Sequence, residues 1–287
     1  MTSPHESNSH SAAAEDDNTL ARIALYSLTR ARTTFSNLSH LPTWTNADTS
    51  SFDCMHYDRN LALEHCASKL DLKPSQHILD IGSGFSATGR FLVDKYHVTV
   101  TGIELQRDVH ELALAICERN VEREVVEGVR SVNADFLTLE PSVLAAGDGK
   151  YDHAVSFLCV THMGKAERGQ MFRQAGRFLK GGGKIYVEDF YRRGGLKGEE
   201  EGLLRDVVAC PWLPGREEYV ADVADAGFRD VEFEDVSEYW TSFLVARAEV
   251  YKRGEECSVD LERFYDTVAE LFVGGNVGGV RLTAVKA

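Results

Sequence analysis

The sequence has no closely spaced cysteine pair, no long apolar run and no excess of positive charge. Its six cysteines (Cys54, Cys66, Cys117, Cys159, Cys210 and Cys257) include no CxxC and no short-spaced Cys/His set, so no structural zinc or other metal is expected. Most lie within periodic apolar segments, where a reduced buried thiol is the usual state, and this implies a reducing compartment. No stretch reaches the roughly 18 apolar residues of a membrane span. The N-terminal MTSPHESNSHSAAAEDDN lacks a signal-peptide apolar region. A cytoplasmic chain with no membrane partner is therefore expected. A formal net charge of −14 argues against nucleic acid as a partner. No internal repeat is present.

What remains is a chain of 287 residues, 43% hydrophobic, enough for one large domain or a domain with a modest cap. Residues 1–17 read as a disordered tail, polar and acidic. Residues 18–70 read as a helical cap: apolar residues at helical spacing over 18–36, an irregular connection over 37–56, and a second helix over 60–70. From residue 77 short apolar runs alternate with helical patterns. Strands are expected at 77–82, 97–105, 129–136, 151–158 and 181–190, and helices at 88–95, 107–120 and 165–179. This alternation predicts a parallel sheet covered on both faces, with its core over 71–190. Residues 191–228 form a separate segment ending in a helix over 216–228. Residues 229–287 add a strand (231–236), a long helical stretch (239–272) broken near 253–258, and a terminal strand (278–286). Two late strands suit an antiparallel strand at the sheet edge. The expected fold is α/β, Rossmann-like, with seven mostly parallel strands.

Ligands of open α/β sheets bind beyond the carboxyl ends of the strands, where strand order reverses. The first strand ends in LDIGSGFSATGR (79–90), in which Gly82, Gly84 and Ala87 fit the loose dinucleotide pattern. The second ends in Glu104, 20 residues beyond Gly84, where one carboxylate can accept from both hydroxyls of a ribose. The third ends in Asp135, able to accept from an adenine amine, with Phe136 flanking the ring. Both a nicotinamide dinucleotide and S-adenosylmethionine fit these strands. Asp80 separates them: a carboxylate at the mouth of the loop repels a pyrophosphate and attracts an ammonium or sulfonium.

Over roughly residues 60–190 the chain resembles class I S-adenosylmethionine-dependent methyltransferases. The resemblance is carried by LDIGSG, VTGIEL, NADF, YDHAVSFLCVTHM and LKGGGKIYVEDF. It is closest to the small-molecule enzymes of the sarcosine/dimethylglycine and phosphoethanolamine type. CPWLPGREEYVADVADAGF and WTSFLVARAEVYKR resemble, more weakly, the segment such enzymes place over the substrate, which implies a substrate lid over 191–228. Two positions depart. Ser86 stands where these enzymes usually have another glycine. Leu158 stands where N-methyltransferases often carry an Asp four residues before the strand-four His. The segment beginning at Cys159 also lacks the Asn/Asp-Pro-Pro-aromatic motif of amino methylation on flipped bases.

The resemblance implies S-adenosylmethionine as cofactor, held by Asp80, Gly82, Ser83, Gly84, Glu104, Leu105, Asp135, Phe136 and Ser156. His162, after strand four, is the candidate base, and Tyr57 a candidate catalytic residue beside His56 in the lid over the methionyl end. Asp189 and Tyr191, with Glu188, end strand five and can hold a substrate ammonium or hydroxyl. Trp240, Phe243 and Arg247 stand at helical spacing, with Arg247 able to pair with a substrate carboxylate. The expected activity is methylation of a small metabolite, foremost at the nitrogen of an amine or amino acid, with sulfur, oxygen or carbon open. A nicotinamide-dependent oxidoreductase and a non-catalytic binding module are the competing readings. A monomer or homodimer is expected.

Overall fold

The computed structural model describes residues 28–140, 143–144, 149–254 and 258–287. The expected N-terminal tail, and residues 18–27 of the first expected helix, lie outside them.

The strands are β1 (His77–Ile81), β2 (Thr99–Glu104), β3 (Val129–Asn133), β4 (Tyr151–Phe157), β5 (Leu179–Arg192), β6 (Phe228–Asp235) and β7 (Val277–Lys286). They form one sheet in the order β3-β2-β1-β4-β5-β7-β6. The first five pair in parallel, and β7 runs antiparallel between β5 and β6. The expected antiparallel strand thus lies one place in from the edge, which β6 forms. Its register, Glu188↔Arg281 and Asp189↔Val280, continues the sheet along β5 from Lys184 to Arg192. The chain lays down β1, β2 and β3 toward one edge, then returns to place β4 on the other side of β1. That reversal opens the crevice in which ligands of such sheets sit.

The helices are α1 (Leu28–Asn37), α2 (Asn46–Asp53), α3 (Asn60–Leu70), α4 (Ala87–Tyr96), α5 (Arg107–Glu118), α6 (Arg123–Gly128), α7 (Lys165–Phe178), α8 (Gly198–Asp206), α9 (Arg216–Asp225), α10 (Ser237–Lys252) and α11 (Val259–Val273). In α5 the buried residues Val109, Leu112, Ala113, Ile116 and Cys117 recur at three- and four-residue steps, so one apolar stripe packs inward. Leu79, Ile81, Phe172, Ile185, Val187 and Leu282 belong to the core on one face of the sheet. Ile78, Val100, Val155 and Tyr186 belong to the core on the other.

Three helices fall where the sequence pattern suggests connection. The α2 segment, NADTSSFD, has little apolar content; it is capped by Asp48 accepting from the Thr45 amide at 2.7 Å, and tied to α4 by a buried Asp53–Arg90 ion pair. The short α6 and the glutamate-rich α8 likewise lack a strong apolar period. Tertiary contacts, rather than local pattern, stabilise such segments. Among the described residues no helix is long and apolar enough to cross a membrane.

Candidate active site

A cavity opens at the carboxyl ends of β1, β2, β3 and β4. Its lining includes Gly82, Gly84, Glu104, Leu105, Asp135, Phe136 and His162 from among the expected site residues. It also includes Met55, Gln106, Val109, Leu137, Leu158, Cys159, Met163 and Glu167, which sequence reasoning did not assign. Gln106 and Leu137 lie within two residues of the expected acids and were within reach of the strand-end rule. Met55 sits in the connection before α3, and no local signal points it at the cavity.

The turn after β1 comes close to its neighbours because its glycines allow it. Gly82 has φ +75° and a Cβ there would run into Cys159 Sγ. Gly84 has φ +53°, with Met55 Cε only 2.9 Å from the position of a Cβ. Ser86 adopts the same left-handed conformation, φ +60°, at the N-cap of α4. A glycine would take that position without the Cβ penalty.

Glu104 is buried, and each carboxylate oxygen has a backbone donor: Oε2 accepts from the Gly84 amide at 2.9 Å and Oε1 from the Gln106 amide at 2.8 Å. Burial raises its pKa, and these amides partly offset the rise. The two bonds fix the carboxylate on the cavity wall and leave lone pairs for further donors. Asp135 is exposed and caps the 3-10 turn Phe136–Thr138, accepting from the Leu137 amide at 2.9 Å. Phe136 is a cavity wall and also a core residue against Phe178.

Asp80 is 2% exposed and lies behind this wall, since alternation along β1 puts it on the opposite face from Ile81. Its Oδ2 has no hydrogen-bond partner among the described residues. Burial, with the nearby Glu104 carboxylate, pushes its pKa up to about 7. A buried carboxylate oxygen without a donor fits a cationic ligand group. Ser83 is buried beside it with an equally unpartnered Oγ. Ser156 instead donates to the Ile81 carbonyl at 3.1 Å, joining β4 to β1 outside the cavity lining.

His162 sits on a 3-10 turn (Val160–His162) after β4, its Nδ1 3.1 Å from the Ala209 carbonyl oxygen. A carbonyl only accepts, so Nδ1 carries the proton and Nε2 is the acceptor nitrogen. Burial pushes its pKa down to about 4, so the ring is neutral at physiological pH. Asp189 lies outside the cavity lining and braces this turn: Oδ2 accepts from the Thr161 amide at 3.0 Å and Oδ1 from the Phe190 amide at 2.7 Å. Burial raises Asp189 to about 7. Tyr191 is set edge-on against Phe233, away from the cavity lining.

Tyr57, Trp240 and Arg247 are brought together in a second cluster. The Tyr57 ring stacks on Phe190 (6.0 Å between centroids) and meets Trp240 edge-on (4.8 Å), with the Arg247 guanidinium 4.7 Å from its centroid. Burial pushes the Tyr57 phenol up to about 12, with Arg247 opposing. None of the three lines the cavity, but Met55 and Leu158, which do, also pack against this cluster.

Residues 51–258 match the family of mycolic acid cyclopropane synthetase. The chain belongs to this family. Among curated relatives it is 28% identical to a phosphoethanolamine N-methyltransferase of Triticum aestivum, over 69% of this chain and 37% of that protein. It is 26% identical to a glycine/sarcosine/dimethylglycine N-methyltransferase of Actinopolyspora halophila, over 62% of this chain and 30% of the relative. The chain thus spans about a third of the length of these two. Its fold is similar to Haemonchus contortus phosphoethanolamine N-methyltransferase 2, solved with phosphomonomethylethanolamine and S-adenosylhomocysteine. That match has a TM-score of 0.69 and 19% identity, and covers 93% of this chain and 59% of the other. The synthetase-family sheet is the seven-stranded, mostly parallel one expected from the alternating sequence.

Proposed function

We propose that the protein is an S-adenosylmethionine-dependent methyltransferase acting on the nitrogen of a small amine or amino acid. The observation that carries this reading is the convergence of Glu104, Asp135 and the Gly82–Gly84 turn on one cavity, with the unpartnered Asp80 oxygen behind it. Glu104 would hold the ribose, its free lone pairs accepting from the vicinal hydroxyls. Asp135 and Phe136 would take the adenine edge and face. Asp80 would offset the charge of the cationic end, whereas a nicotinamide dinucleotide would place its anionic pyrophosphate at this turn. The N-methyltransferase names among the relatives support the same acceptor chemistry.

When bound, S-adenosylmethionine would supply an activated methyl group for attack by the nitrogen lone pair, with the S–C electron pair returning to sulfur and the proton displaced from the nitrogen passing to solvent. The protein's part is alignment, a contribution worth up to about 7–11 kcal/mol in favourable cases. His162 presents a neutral imidazole, and Nε2 is the side that can accept from an amine N–H and orient its lone pair. The Asp189 bond to the Thr161 amide braces the turn that carries that ring. Tyr57, off the cavity lining and protonated through the physiological range, would support Met55 and Leu158 from behind and is not a base.

The test is S-adenosylhomocysteine release by the purified protein with a panel of amines, amino acids, thiols and hydroxy acids. Stimulation by an amine supports the reading. Stimulation confined to thiols or hydroxy acids overturns the nitrogen assignment. Tight NAD binding without S-adenosylmethionine binding overturns the cofactor.

A further inference from the structure

Arg247 is an anomaly in an acidic chain. Its guanidinium is caged by three aromatic rings, 4.4 Å from the Tyr265 centroid, 4.7 Å from Tyr57 and 5.7 Å from Phe243. Such stacking satisfies the charge in part, and one side-chain hydrogen bond joins Arg247 to the Tyr57 hydroxyl. Nε and Nη2 are buried without a hydrogen-bond partner. Among the described residues no carboxylate forms an ion pair with it, whereas the other arginines with a largely buried side chain, Arg90, Arg168 and Arg281, each have one. Two turns earlier on the same face of α10, Trp240 is fully buried and its Nε1–H is also unpartnered. Buried donors left open in this way are uncommon and call for an acceptor.

Among the described residues none supplies that acceptor, and the cluster's position fits a ligand that brings one. Met55 and Leu158 are shared between the wall of the cavity and this cluster. The carbonyl that holds His162 belongs to Ala209, itself a member of the cluster. A molecule with its nitrogen beside His162 and its other end past Met55 and Leu158 would reach α10 and α11.

We propose that Arg247, with Trp240, forms the subsite for the carboxylate of the methyl acceptor, so that the acceptor is an amino acid rather than a simple amine. This rests on the methyltransferase reading above. A single guanidinium balances a monoanion, and two N–H groups of one planar fork match the two oxygens of a carboxylate. A phosphate dianion calls for more positive charge than one arginine provides.

Calorimetry in the presence of saturating S-adenosylhomocysteine tests the subsite. The probes are the proteinogenic amino acids and sarcosine, the carboxamide of each amino acid that binds, and phosphoethanolamine. We expect at least one amino acid to bind and its carboxamide to bind about 10- to 100-fold more weakly, the usual range for a lost charge-assisted hydrogen bond. Arg247→Met should lose a similar factor and Arg247→Lys less, with affinity for S-adenosylhomocysteine unchanged in both. The subsite is overturned if carboxamide and carboxylate bind alike, if Arg247→Met binds the amino acid as the wild type does, or if phosphoethanolamine binds in preference. It is also overturned if no amino acid binds to a protein that does bind S-adenosylhomocysteine. Failure to bind S-adenosylhomocysteine at all would instead overturn the methyltransferase reading.

Discussion

Asp80 and Glu104 are both buried carboxylates at strand ends, and their surroundings treat them differently. Glu104 receives one backbone N–H on each oxygen, whereas Asp80 Oδ2 receives none and the acid titrates at about 7. A cationic ligand beside Asp80 favours its ionised form. Binding below pH 7 must therefore expel a proton, and affinity should rise with pH through about 7 and level off above it. Titration calorimetry in buffers of different ionisation heat should find close to one proton released per S-adenosylmethionine at pH 6. Asp80→Asn should bind more weakly and release none. A wild-type affinity that is flat from pH 5.5 to 8 would count against the role given to Asp80. Ser86 offers a prediction of the opposite kind, an improvement. Its left-handed φ costs a non-glycine residue about 1–2 kcal/mol, and its buried Oγ has no partner. Ser86→Gly should raise stability to urea by roughly 0.5–1 kcal/mol after the added entropy of the unfolded chain is counted. A loss of stability would mean that Oγ makes a bond that matters.

Among elements, the end of β5 and the turn after β4 act as one unit. Asp189, on β5, joins them by accepting from the Thr161 amide next to His162, while its bond to the Phe190 amide lies within β5. Asp189→Ala strands two buried donors at about 1–3 kcal/mol each. The variant should lower kcat at least about 10-fold by releasing His162, while the Kd for S-adenosylmethionine stays within about twofold because Asp189 is off the cavity wall. Asp189→Asn keeps one acceptor and should recover part of the rate. Equal losses in kcat and cofactor affinity would show that the turn supports the cofactor instead. The sequence placed Asp189 and Tyr191 together as substrate contacts because both end a strand. Alternation sets only that neighbours face opposite ways. Which way each faces follows from how β5 pairs with β4 and β7, and this is not a local property.

For the whole molecule, a ligand that binds only the folded chain stabilises it by mass action. At about 100 times its Kd, S-adenosylmethionine should add about 2.7 kcal/mol. For a chain of this size that is a rise in Tm of about 4–5 °C. NAD at the same concentration should leave Tm unchanged, and a shift with NAD alone would reverse the cofactor assignment. The sequence by itself determined the alternation of short buried strands with amphipathic helices, and hence the kind of sheet. It also determined which strands end in Asp80, Glu104 and Asp135. These depend on periodicity and strand ends, which are written within a few neighbouring residues. Only the tertiary structure decided that β7 runs between β5 and β6, that polar segments such as α2 are helical, and that Asp80 stands behind the cavity wall while Glu104 lies on it. It alone gathered Tyr57, Trp240, Arg247 and Tyr265, residues more than 200 positions apart at the extremes, into one cluster. Such meetings depend on strand pairing and helix packing, interactions whose partners are distant along the chain and leave no mark in any one segment.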